Sequence, residues 1–463
     1  MWSRPLSPLD PAAAAARLRG RHAGLALLDS AMRHDALGRH SYLAADPFGT
    51  FRVRGPQAYW NGAPVPGAPL AALRAVLAPY RTAPDPDLPP FQGGAIGYVA
   101  YDFGASLERV TPPARRAGLT DDLAVNLYAS VVAFDHRTGT CRLIATGFPE
   151  TDPAARARQA AADLDALEAA LAGPEPATET APVPPLDWRS NFTPDAYARA
   201  VERVRDYIRA GDIYQANIAQ RFEAALPPGF DAFAFYRRLR ARNPAPFAAY
   251  LEVDGLTIAS SSPERFLRLD GRSVETRPIK GTARRSTDPA EDRARAEALR
   301  TDAKERAENV MIVDLLRNDL SRICAPGSVA VPSLCGLETY AGVHHLVSAV
   351  TGTLKDGADG LDLLAATFPG GSITGAPKLR AMDIVTEIEG DAREAYCGAI
   401  GWIGFDGSLD TSIAIRTVLI DASRAVLQAG GGVTLLSDPE AEYRETLTKA
   451  ERVFSAFATG EGA

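Results

Sequence analysis

The chain has 463 residues, 46% of them hydrophobic, with a formal net charge of −7 and four cysteines. That is enough for two domains or one large one with a substantial core, and the arginines interspersed among carboxylates exclude general nucleic-acid binding. Cys141, Cys324, Cys335 and Cys397 lack a Cys-x-x-Cys pair and no apolar run could span a bilayer, which leaves buried thiols in a protein expected in the cytoplasm, with no secretory signal in Met1-Trp-Ser-Arg-Pro.

In chain order, Gly24–Asp29 and Ala124–Ala133 read as strands, and Asp152–Ala172 reads as an amphipathic helix. Gly173 to Pro185 is rich in proline and small residues, which divides the chain into an N-terminal region (1–172), a linker (173–190) and a C-terminal domain (191–460). Thr193-Pro194 predicts a capped helix running to about Arg209. Short apolar strands are expected at 256–259, 397–403, 411–416 and 425–429, with helical patterns at 289–323 and 438–458. Strands in runs, with helices between but no regular βαβ alternation, predict an α+β fold on large sheets.

Lysine is scarce. Only Lys280, Lys304, Lys355, Lys378 and Lys449 occur, and arginine fills the other basic positions. An amine can lose its proton when desolvated and attack carbon, so Lys280, in Arg277-Pro-Ile-Lys-Gly-Thr282, is either a nucleophile or a surface lysine in a turn. Glu305 and Glu308, and again Glu442 and Glu445, fall three apart, so each helix presents two carboxylates on one face. Facing each other, they would cage Mg²⁺; separately, they are solvated helix surface. Gly430-Gly431-Gly432 offers close backbone approach to an anion, or a flexible turn. Arg416 is a carboxylate clamp or a strand-end arginine in solvent, His345 reads as a core histidine, and Glu264, after Pro263, is a cap or a general acid. Gly370–Lys378 lacks the Gly-Lys-Ser/Thr ending of a nucleotide-binding loop.

Together, Gly211–Phe222, Ser261–Phe266, Arg277–Thr282, Asp314–Arg322, Gly371–Lys378 and Gly430–Gly432 resemble, in order, the motifs of the chorismate-utilising enzymes. The match is close from about 195 to 458 and looser before it, through Ser41–Pro47 and Gly93–Asp102. The resemblance implies large antiparallel β-sheets forming a sandwich-like core flanked by helices. It also implies Glu308 and Glu445 as Mg²⁺ ligands, with Glu305 and Glu442 holding waters. Tyr396, Arg416, Lys449 and the backbone at Gly430, Gly431 and Gly432 would hold substrate carboxylates, with Gln215 and Thr282 also lining the substrate. Glu264 would be the general acid, with His345 close to the ring.

Two positions sort the branches. Isochorismate and salicylate synthases carry a water-activating lysine where Gln215 stands, and Gln215 lacks that basicity. Anthranilate synthases resemble Pro-Ile-Ala-Gly-Thr where this chain has Lys280, and a lysine there resembles the aminodeoxychorismate synthase component I branch. The expected reaction is amination of chorismate at C4 through a covalent Lys280 intermediate, for 4-aminobenzoate and folate. No glutaminase nucleophile elbow is visible, so ammonia is expected from a separate glutamine amidotransferase subunit. The alternatives are anthranilate synthase component I and a non-catalytic chorismate-binding subunit. Leu27-Leu-Asp-Ser30 is similar to a stretch that holds tryptophan in the family but carries aspartate for glutamate, which leaves tryptophan open.

Overall fold

The computed structural model describes residues 1–32, 37–176, 183–340 and 342–458. Residues 177–182, within the expected linker, lie outside it. Two twelve-stranded antiparallel sheets dominate. The first runs from Trp2–Leu6 through Thr140–Ala145, Ser130–Asp135, His40–Ala44, Ala26–Asp29, Phe247–Val253, Leu256–Ser262, Thr417–Ile420, Arg424–Val433 and Gln215–Ala225 to Arg189–Ser190, with Gly375–Ala376 also paired to Gln215–Ala225. The second holds Ile279–Arg284, Val343–Thr353, Arg265–Asp270, Leu409–Ile413, Ala399–Gly404, Gly94–Val99, Leu123–Tyr128 and Gly49–Arg54 among its strands. Strands from before and after the proline-rich segment share both sheets; Ala26–Asp29, for instance, pairs with Phe247–Val253.

The layers follow from where the apolar side chains go. Tyr42, Val131, Ile144, Leu251 and Ile258 of the first sheet bury against Ile96, Tyr98, Ile400 and Trp402 of the second, so the sheets pack face to face. Helices cover both outer faces: Ala15, Leu164, Phe235 and Val453 pack on the first sheet, and Leu73, Ile312, Leu316 and Leu364 on the second. The fold is therefore the α+β sandwich flanked by helices that the sequence predicts. The helix Pro194–Arg209 starts where expected, Thr193 accepting a hydrogen bond from the Ala196 N–H, and buries Tyr197, Ala200, Val201 and Val204.

Three expectations are corrected. The apolar run 124–133 is two strands, Leu123–Tyr128 in the second sheet and Ser130–Asp135 in the first. Both are almost wholly buried, and only the partly buried Ala129-Ser130 marks the crossing. The pattern at 289–323 is two helices, Pro289–Thr301 and Ala303–Ile323, broken at Asp302, which leaves helical geometry and caps the second through the Glu305 N–H. The triple glycine is not a flexible turn: it continues the strand Arg424–Val433 along Gln215–Ala225.

Candidate active site

Lys280 is placed by a fault in a strand. Ile279 pairs with Val347 and Thr282 with His345, so three steps on one strand face two on the other. The extra residue makes a β-bulge at Lys280-Gly281, with Gly281 at φ +84°, and a bulge redirects a side chain out of the regular alternation. A Cβ on Gly281 would stand 3.1 Å from Glu305 Oε2 and 3.1 Å from Leu299, so glycine also lets the helix Ala303–Ile323 come close. Lys280 is thus neither in a turn nor paired. Among the described residues it makes no hydrogen bond or ion pair. Burial holds its amine below the usual lysine range; Lys449 acts in the same direction, against Glu308, Glu264 and Glu445.

Glu264 follows the strand Leu256–Ser262 and is 5% exposed. Its Oε1 accepts a 2.6 Å hydrogen bond from the Ser372 hydroxyl, and the Ile279 backbone also bonds to it. Burial pushes its carboxyl up to about 7, opposed by those bonds and by the charges of Lys280 and Arg416. Ser372 belongs to Gly370–Lys378, which is pinned from beneath: Lys378, itself buried, donates to Asp319 at 2.5 Å and to the Thr367 carbonyl at 2.7 Å. Arg393, fully buried against Glu389, donates to the carbonyls of Ile373 and Asn217 and so ties that loop to the strand Gln215–Ala225.

That strand and its neighbour form the site's floor. Arg424–Val433 pairs with Gln215–Ala225 along its whole length, but with Thr417–Ile420 only through Ala425–Leu427, leaving one edge of the glycine run without a strand partner. Here glycine makes room. A Cβ on Gly432 would lie 1.9 Å from Gln215 Nε2 and 3.6 Å from Lys280 Nζ; one on Gly431 would lie 3.1 Å from Glu442 Oε2 and 3.3 Å from Glu445 Oε1. Lys449 Nζ donates to the Gly430 carbonyl at 2.8 Å and pairs with Glu445 at 2.6 Å.

The four carboxylates share one field. Glu305 and Glu308 rise from the start of Ala303–Ile323, Glu442 and Glu445 from the start of Pro439–Ser455, and the charge of one pair reaches the other. Burial, reinforced by a neighbouring carboxylate, raises Glu305, Glu308 and Glu442 above the usual range, whereas Lys449 brings Glu445 below it. Among the described residues, no three His, Cys, Asp or Glu side chains are drawn together to hold a metal ion. Mg²⁺ is commonly bound by only one or two carboxylates, with waters and a substrate oxyanion completing six. An all-oxygen donor set under mutual repulsion fits such a hard dication.

Arg416 follows the strand Leu409–Ile413 at φ 51° instead of ending it. It forms no ion pair among the described residues, and desolvation lowers its guanidinium to about 10. His345 Nδ1 lies 2.8 Å from Thr282 Oγ1; burial, with the Arg416 charge, lowers it to about 4, so the ring is neutral. Tyr396 is buried with the Arg393 guanidinium 5.8 Å from its ring centre. Sequence reasoning gave no role to Ser372, Asn217 or Lys304, which stands 3.9 Å from Glu308; only Lys304 carried a signal, its i, i+4 spacing to Glu308. Asp29 accepts from Tyr236 and Arg240 and borders, with Ser30, a separate cavity of about 1240 Å³. No helix among the described residues is long and apolar enough to cross a membrane.

Residues 29–455 match the model of the chorismate binding enzymes. The chain belongs to the chorismate binding enzyme family. Within it, the chain is 42% identical over 387 residues to aminodeoxychorismate synthase component 1 of Salmonella typhimurium, covering 83% of this chain and 81% of the relative. It is 39% identical over 470 residues to anthranilate synthase component 1 of Mycobacterium tuberculosis, covering 97% and 91%. The crystal structure of anthranilate synthase component I from Streptococcus pneumoniae superimposes with a TM-score of 0.80 at 32% identity, covering 97% of this chain and 98% of that one. This member of the chorismate binding enzymes is a chorismate-utilising enzyme.

Proposed function

We propose that the chain aminates chorismate at C4 to 4-amino-4-deoxychorismate, in the cytoplasm, with ammonia delivered by a separate glutamine amidotransferase component, on the route to 4-aminobenzoate and folate. The observation that carries this reading is Lys280: an amine on a bulge, without a protein partner, its basicity lowered by burial, beside a carboxyl held near 7. In the proposed reaction the Lys280 amine forms a bond to C2 of the ring while the ring double bond shifts and the C4 hydroxyl leaves as water, taking its proton from Glu264. Ammonia then bonds to C4, the double bond shifts back, and the lysine leaves C2 with its electron pair restored. Arg416, Lys449 and the backbone near Gly431 are suited to the substrate's carboxylates, and neutral His345 to the ring. Glu308 and Glu445 would hold Mg²⁺, with Glu305 and Glu442 steadying its waters; bound there, the ion supplies charge neutralisation for the ring carboxylate.

A second reading, amination at C2 with loss of pyruvate, is favoured by the near full-length match to anthranilate synthase component 1. Incubation of the chain with chorismate, Mg²⁺ and ammonium, followed by mass spectrometry and chromatography of the product, separates the two. The C4 reading expects 4-amino-4-deoxychorismate, and an adduct on the Lys280 peptide when ammonia is withheld. Anthranilate as the product, or turnover by a Lys280→Ala variant at the wild-type rate, would remove it.

A further inference from the structure

Asn309 follows Glu308 in the interior of the helix Ala303–Ile323, where asparagine is among the poorer helix formers. It is wholly buried, and its carboxamide bonds outside its own helix. Nδ2 donates to the Leu346 carbonyl at 3.2 Å, and Oδ1 accepts from the Ser348 hydroxyl. A carbonyl only accepts, so the Leu346 end fixes which way round the amide sits. Ser348, also wholly buried, is held from two further sides: its Oγ accepts from the Cys335 N–H at 2.8 Å, and its own N–H donates to the Pro278 carbonyl at 3.1 Å. These bonds join three parts of the site. Leu346 follows His345 on the strand Val343–Thr353, Pro278 lies two residues before Lys280, and Glu308 precedes Asn309.

The helix needs such a tie at this point. Residues 303–308 have no buried side chain, so the turns that carry Glu305 and Glu308 have no apolar anchor, and Asn309 is the first buried residue after them. Ile312 and Leu316 anchor only the later turns. Glu305 and Asn309 are four apart and share a face; Glu305 closes on the bulge at Gly281, and Asn309 meets the strand that the bulge pairs with. Of the carboxylates, Glu308 is the one whose charge acts most strongly on Lys280. We propose that Asn309 is a positioning residue, which through Leu346 and Ser348 holds the carboxylates of Ala303–Ile323 in fixed register with the Lys280 amine. This rests on the amination reading above and specifies what keeps its metal ligands and its nucleophile aligned. No contact with the substrate and no covalent step is assigned to Asn309.

The test is Asn309→Leu and Ser348→Ala, which cut the same bond from opposite ends; the second removes only a hydroxyl and leaves the helix untouched. Lys280 adduct formation from chorismate and Mg²⁺ without ammonia is followed by intact mass against chorismate concentration. Binding of Mn²⁺ without chorismate is read by electron paramagnetic resonance, since carboxylate oxygens suit Mn²⁺ as they do Mg²⁺. A misplacement of about 1 Å can cost on the order of 100-fold in rate, so the maximal adduct rate should fall about 10–100-fold in both variants. The half-saturating chorismate concentration and the Mn²⁺ affinity should stay at their wild-type values, and the double variant should be no worse than the worse single one, because both remove one interaction. A maximal rate unchanged in either variant, or a loss that appears only as weaker chorismate or Mn²⁺ binding, would overturn the positioning role while leaving the wild-type adduct intact. A wild-type chain that forms no Lys280 adduct would overturn the amination reading and this role with it.

Discussion

Removing one hydroxyl should move one limb of the pH profile. Ser372 donates at 2.6 Å to Glu264 Oε1 inside a buried site, and that bond favours the ionised carboxylate. A hydrogen bond to a charged group is worth about 1.5–3 kcal/mol, which at 1.36 kcal/mol per pKa unit is about 1–2 units. Ser372→Ala should therefore carry Glu264 from about 7 to well above it. The assay is the rate of Lys280 adduct formation from chorismate and Mg²⁺ without ammonia, followed by intact mass across the pH range, so that the protonation of ammonia does not enter. The limb near pH 7 should shift upward by about 1–2 units while the other stays in place. Macroscopic limbs belong to the coupled pair of Glu264 and Lys280, but only one member of that pair touches Ser372. A limb within a few tenths of wild type, or one displaced downward, would refute Glu264 as the titrating group.

The carboxylates should rank by role. Glu308→Gln and Glu445→Gln should lose Mg²⁺-dependent turnover beyond the roughly 10–100-fold typical of an outer-shell substitution, and Glu305→Gln should fall within it, read by Mg²⁺ titration of the rate. Lys378→Met strips Asp319, 2% exposed, of its hydrogen-bonded cation and leaves it only Arg322 at 3.7 Å, so it should cost toward the lower end of about 3–5 kcal/mol in urea unfolding, most of it recovered by adding Asp319→Leu. His345 titrates at about 4 when folded and at about 6.5 when unfolded, so the unfolded chain binds the extra proton first. Its contribution is full above pH 6.5 and is lost as pH falls toward 4. Wild type should lose about 2 kcal/mol relative to His345→Asn between pH 7 and pH 5, and an equal loss in both would contradict a neutral buried ring.

How much of this was legible depended on whether the signal was local. The Thr193-Pro194 cap and the twin Glu-x-x-Glu spacing are properties of neighbouring residues, and the structure sets the helices accordingly. The break at Asp302 was hidden because Pro289–Ile323 keeps good helix formers on both sides of the residue that turns. The bulge at Lys280-Gly281 could not be read at all: it is a mismatch of register against Val343–Thr353, some sixty residues away. Ser372 was invisible for the same reason. Its role comes from a hydroxyl meeting a carboxylate 108 positions earlier, across two segments whose sequences say nothing of each other.

The same long-range contacts move the amine and the acid toward the forms that the proposed reaction would use. In water, Lys280 and Glu264 would be an ammonium and a carboxylate, the one unable to attack and the other with no proton to give. Burial penalises both charges, lowering the lysine and raising the glutamate, and no direct salt bridge forms between them to reverse that. The bulge contributes to this, because it turns the Lys280 side chain out of the strand's regular alternation without pairing it to Glu264. The Ser372 and Ile279 bonds pull the other way and keep Glu264 near 7 instead of far above it, where the proposed reaction would have it release a proton to the departing hydroxyl and regain it between turnovers. On the proposed mechanism, reactivity at this site would be set by a balance of desolvation against two hydrogen bonds, and that balance depends on where a β-bulge and a glycine-rich loop come to rest.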